Sequence, residues 1–160
     1  MQWSVVASPN PSTRRNELYS VSARAANDIW AVGYYFDDVT VFEDPLIEHW
    51  DGTAWTAFPH QNFCAQTACG VLFGVAAVAA NNVWAVGEIT MGAGTPLIAH
   101  WDGVKWSASS NPPLAARYLN GVSGTGMAAP IAVGTRDLNA STAIERYGPP
   151  QFPMKGPTGR

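Results

Sequence analysis

A chain of 160 residues and 17.1 kDa is long enough to bury one proper core. Its net charge of −3, with Lys105 and Lys155 the only lysines, lacks the basic surplus that phosphate binding needs and argues against a nucleic-acid partner. Apolar residues at 47% fit a globular chain, while 15 glycines, 12 prolines and only 13% charged residues favour short strands between turns over long helices.

No apolar run approaches the roughly 20 residues of a membrane-spanning helix, and the N-terminus shows no basic segment leading into an apolar one. The chain begins inside a strand-like pattern, Trp3-Ser4-Val5-Val6, so Met1 is expected to be an expression start on an excised or mature segment. Residues 2–9 align with residues 105–112 and, more loosely, with 54–59. They are therefore read as the outermost strand of a repeating unit whose other strands lie elsewhere.

The first full repeat has four apolar runs separated by turn signals, at residues 18–22, 29–35, 46–50 and 54–58. Ala26-Asn27-Asp28-Ile29-Trp30-Ala31-Val32-Gly33 opens its second strand, and Asp51-Gly52 marks a hairpin between the third and fourth. The second repeat places its strands at 71–76, 83–88, 96–101 and 105–109, with Ala80-Asn81-Asn82-Val83-Trp84-Ala85-Val86-Gly87 and Asp102-Gly103 in the same places. Residues 46–55 and 97–106 agree at seven of ten positions. The third repeat keeps 119–123, 131–135 and 143–147; its Pro130-Ile131-Ala132-Val133-Gly134 has lost the tryptophan.

Prolines after Tyr147 argue against a fourth strand there. The N-terminal strand at 3–8 is expected to supply it. Self-similarity at roughly 50 residues with four short strands per copy predicts an all-β chain of three four-stranded antiparallel propeller blades. These are 18–58, 71–110, and 118–147 joined by 3–8, within a domain spanning 1–153; residues 154–160 read as a disordered tail.

Every tryptophan has a repeat address: Trp30 and Trp84 in the second strand, Trp50 and Trp101 in the third, Trp3, Trp55 and Trp106 in the fourth. A periodic aromatic reads as packing between blades. His49 and His100 share one position with Arg146, which argues against a common catalytic role. Cys64 and Cys69 are read as a disulfide closing a small loop in an oxidising compartment. Zinc held with His60 is the alternative, though it falls short of the usual four ligands. Asn139-Ala140-Ser141 is an acceptor triplet for N-glycosylation.

The repeated Ala-Asn-Asp-x-Trp-Ala-Val-Gly and His-Trp-Asp-Gly-x-x-Trp strings resemble those of secreted bacterial β-propellers related to kelch repeats, over about residues 3–147. The resemblance implies a propeller located outside the cell or on its surface, and it is almost silent on activity. Residues 48–55 are also similar to the hairpin of small fucose-binding propeller lectins, whose short chains combine into a six-bladed ring. The arginine and the repeated glutamate that grip sugar there are missing: Trp30-Ala31-Val32-Gly33 has no arginine, and Ala99 replaces the second copy of Glu48.

Three blades are too few for a ring, which takes roughly four to eight. The expected remedy is a homodimer forming a six-bladed ring; a fragment of a longer chain is the alternative. The loops that diverge between copies share one face, where binding functions concentrate. Candidate ligand residues there are Tyr34, Tyr35, Phe36, Asp37, Asp38, Glu43 and Asp44. Glu88, Arg117, Tyr118, Arg136 and Asp137 join them on the same face. Aromatic rings suit sugars and carboxylates suit hydroxyls or calcium, and a merely solvated acidic loop is the competing reading.

No His-rich metal spacing, Gly-rich phosphate loop or nucleophile elbow occurs. A hydrolase would have to pair Asp37 or Asp38 with Glu88. The expected function is thus a non-catalytic module binding a glycan or protein, with a purely structural unit as the alternative.

Overall fold

The computed structural model describes residues 2–58, 63, 70–90, 94–109, 116–125, 129–136 and 141–148. Among them are eleven strands and no helix, hence none long and apolar enough to cross a membrane. The strands form three antiparallel sheets that follow the repeats.

The first sheet is β1 (Asn16–Ala25), β2 (Asp28–Phe36), β3 (Glu43–Trp50) and β4 (Trp55–Ala57) in that order. The second is β5 (Val71–Ala79), β6 (Asn82–Ile89), β7 (Thr95–Trp101) and β8 (Trp106–Ala108). The third holds β9 (Tyr118–Ser123), β10 (Ile131–Thr135) and β11 (Thr142–Arg146). Because β5 packs against both β1 and β9, the second sheet lies between the other two.

The repeated residues explain this arrangement by their hydrogen bonds. Asp28 Oδ1 accepts from Trp30 Nε1 at 3.1 Å and lies 2.8 Å from His49 Nε2. Asn82 Oδ1 serves Trp84 and His100 in the same way, at 2.7 and 3.0 Å. Trp50 and Trp101 each donate to a backbone carbonyl at the preceding hairpin, of Ala26 and Ala80. Asp51 and Asp102 cap their turns by accepting from the backbone N–H groups two and three residues on, and the following glycines, Gly52 and Gly103, take positive φ. The motif is a set of clamps between adjacent strands.

The glycine ending each Ala-Val-Gly has a different reason. The innermost strand of every sheet is bulged, the register skipping Tyr19, Phe73 and Asn120. The bulge brings the carbonyls of Glu17, Val71 and Tyr118 onto Gly33, Gly87 and Gly134, where a Cβ would lie far inside van der Waals contact with them.

Packing between the sheets is apolar. Trp30, Val32 and Ile47 meet Leu72, Leu97, Ala99 and Trp106, with Trp30 ring centroids 5.4 and 5.3 Å from Trp101 and Trp106. Between the second and third sheets, Val86, Leu119, Ala132 and Ala143 form a smaller core, and Trp84 meets Tyr147 at 4.3 Å. Burying tryptophan and leucine side chains contributes roughly 2–3 kcal/mol each, and it is the main force joining neighbouring sheets.

The N-terminal expectation needs correcting for the single chain. Residues 2–15 carry no strand, and Trp3 and Val5 are fully exposed, so Trp3 is not a packing residue here. The third sheet keeps three strands. The physical reason is placement: the N-terminal segment is tied to the first sheet, and β11 lies on the sheet at the other side of the second. Cys64, Cys69, His60, Asn139 and the tail at 154–160 lie outside the described residues.

Candidate functional site

On the face of divergent loops, the structure places most of the candidate side chains in contact with one another or with their own loops. Tyr34 is buried, and its hydroxyl accepts from Arg15 Nη1 at 2.8 Å. Tyr35 is buried too; burial, reinforced by the charges of Asp44 and Asp37, pushes its phenol up to about 12. Asp44 is itself buried. Phe36 is half-buried and meets the Tyr34 ring edge-on at 6.0 Å.

The Asp37 carboxylate accepts from the N–H groups of Val39 and Thr40, closing the loop back on itself. Asp38 accepts from Ser12 Oγ, Thr13 N and Thr13 Oγ1, all at 2.9 Å. The backbone N–H of Thr13, with the two hydroxyls, holds the Asp38 carboxyl below the usual range. Asp38 thus anchors the segment leading into β1.

Glu88 is the candidate that keeps an unusual environment. Burial pushes its carboxyl up, the neighbouring Glu43 charge adds to this, and Arg117 opposes it. Arg117 lies over Gly94, filling the space that a Cβ there would occupy. Glu43, Glu88 and Arg117 are therefore brought together, from the first, second and third repeats. Tyr118 pairs with Thr135, and Arg136 is exposed at the end of β10, its N–H bonded to the Ser141 carbonyl. Asp137 lies outside the described residues. No cluster of three or more His, Cys, Asp or Glu able to hold a metal occurs among the described residues.

Tyr19, on the β1 bulge, was not singled out by the sequence. It is exposed, stacks near Tyr34 and Phe73 at 5.8 Å, and donates to Glu17 Oε2 at 2.6 Å, which pushes its phenol up.

A cleft of about 270 Å³ lies at the opposite face, between the first and second sheets. Arg24, Asp28 and His49 form its polar side; Trp30, Phe58 and Trp101 form its aromatic side. Arg24 Nε bonds Asp28 Oδ2 at 2.5 Å. Burial raises the Asp28 carboxyl, but hydrogen bonds from His49 and Arg24 outweigh it and leave the group below its usual range. Sequence reasoning passed over these residues because His49 and the tryptophans recur and were assigned to packing.

No family model matches the chain, and no curated protein matches it. Solved structures do: one is "YCF48 bound to D1 peptide", a β-propeller protein, with a TM-score of 0.52, 16% identity and 87% of this chain covered. This chain spans 42% of that neighbour's length. The likeness is one of fold, and with three antiparallel sheets packed in sequence it makes the chain an all-β protein of propeller type.

Proposed function

We propose that the chain is a non-catalytic binding and assembly module of secreted, kelch-like type, whose three blades complete a six-bladed ring with those of a second copy. One observation carries this reading. Ile131, Val133 and Ile144, on the outer flank of the third sheet, are 45, 46 and 75% exposed, whereas their repeat counterparts Trp30, Val32 and Ile47 are 2, 0 and 0% exposed against the next sheet. At the other end, Leu18 is exposed where Leu72 and Leu119 are buried. Each end of the chain therefore shows the surface that its interior joints bury, and exposed apolar faces of this kind drive association.

The same reading gives residues 3–8 a place: their sequence matches the outermost strands, and the free edge of β11 in the neighbouring copy accepts one. A protein ligand is favoured over a glycan, because the rings a sugar would stack on, Tyr34 and Tyr35, are buried.

Light scattering on the eluting protein at micromolar concentration is expected to give twice the 17.1 kDa of one chain. Ile144→Asp is expected to halve that mass while leaving the strand content unchanged. A single-chain mass for the unmodified protein would sink the homodimer and leave the missing blades to a longer natural chain.

A further inference from the structure

We infer that the cleft between the first and second sheets is a binding site for a peptide carboxylate, with Arg24 as its anchor and Phe58 and Trp101 as the wall for the adjoining side chain. Both sheets belong to one chain, so the inference does not depend on ring closure.

Comparing the two full repeats separates residues that hold the fold from residues that do not. Trp30 and Trp84, His49 and His100, and Asn27 and Asn81 are the same in both copies. Among the first-repeat residues that line this cleft, three differ from their second-repeat counterparts. Arg24 corresponds to Val78 and Asp28 to Asn82, by their shared register in the β1–β2 and β5–β6 hairpins. Phe58 corresponds to Ser109, each donating its N–H to the matching carbonyl, of Ile47 and Ile98.

Asn82 binds its tryptophan and histidine as well as Asp28 does, at 2.7 and 3.0 Å. The clamp therefore needs an acceptor and no charge. The charge on Asp28 has a further effect, which is to hold Arg24 Nε. Among the described residues only that nitrogen of Arg24 is engaged, and the side chain is exposed at 41%. A guanidinium held at Nε, with its terminal N–H groups bonded to none of the described residues, is a planar fork that fits a carboxylate with two parallel hydrogen bonds. Phe58 and the half-buried Trp101, 5.2 Å apart, supply the apolar surface beside it.

The test is calorimetric titration with acetyl-Gly-Gly-Phe as the free acid and as the C-terminal amide. The acid is expected to bind saturably and the amide at least tenfold more weakly. The double substitution Arg24→Val, Asp28→Asn writes the second repeat's own residues into the first, so the fold survives; it is expected to bring the acid down to the amide. Arg14→Gln, an exposed arginine that does not line the cleft, is expected to change nothing. Equal binding of acid and amide, no binding of either at millimolar concentration, or full binding by the double variant would each overturn the inference.

Discussion

Replacing Glu48 by glutamine is expected to raise the unfolding free energy by about 3 kcal/mol at mildly alkaline pH and to change it little at pH 4. Glu48 is fully buried in β3, and neither carboxylate oxygen has a partner among the described residues. Burial pushes the group from 4.5 to about 7. The folded state therefore holds its proton more tightly than the unfolded chain does. Its contribution is fully present below 4.5, declines as pH rises toward 7, and is flat beyond.

Glutamine imitates the protonated acid and removes that slope. The repeat supports the sign: the second copy has the uncharged Ala99 at this position. Urea unfolding of both proteins from pH 4 to 8 measures the difference, and Glu88, raised in the same direction, cancels between them. Parallel stability curves would mean that Glu48 finds a partner in solution.

Gly87→Ala is expected to destabilise by about 3 kcal/mol or more, lowering the melting midpoint by roughly 10 °C. Its Cβ would collide with the Val71 carbonyl and crowd the Leu72 Cα, both backbone atoms of the bulged β5, so relief requires moving a strand. Gly148→Ala is the control, because a Cβ there meets nothing within 4 Å. Thermal melts by circular dichroism decide it. Equal midpoints for the two variants would show that the bulge yields without cost.

The architecture was readable in the chain because its determinants recur. Trp30, His49 and Asp51 each perform one local task, and the same task at Trp84, His100 and Asp102 makes a pattern. The glycine of Ala-Val-Gly was visible as a motif, but its cause was not, since the bulge at Tyr19 lies on another strand. The site was much less legible. The carboxylate of Asp38 looked free in sequence, and its partners Ser12 and Thr13 stand 26 and 25 residues earlier, at no repeating interval.

Tyr34 and Tyr35 read as a loop-edge aromatic pair, yet β2 is covered on both faces and both rings go inside. The cleft escaped notice for the opposite reason. Its informative residues, Arg24, Asp28 and Phe58, are three among many mismatches between the copies, and they become a group only when folding sets them side by side. The N-terminal strand was inferred from residue types alone, which fix a strand's character and leave its partner open.

The two bare ends have a consequence of polarity. Ile144 and Leu18 belong to different surfaces, so each joint of the proposed ring is head-to-tail, and each molecule brings one end of each kind. Such joints need not stop at two: if the turn from blade to blade fails to divide a full circle, copies add without limit and a helical fibre grows. A molecule disabled at Ile144 alone still offers its other end and, added in trace amounts, terminates the growing polymer.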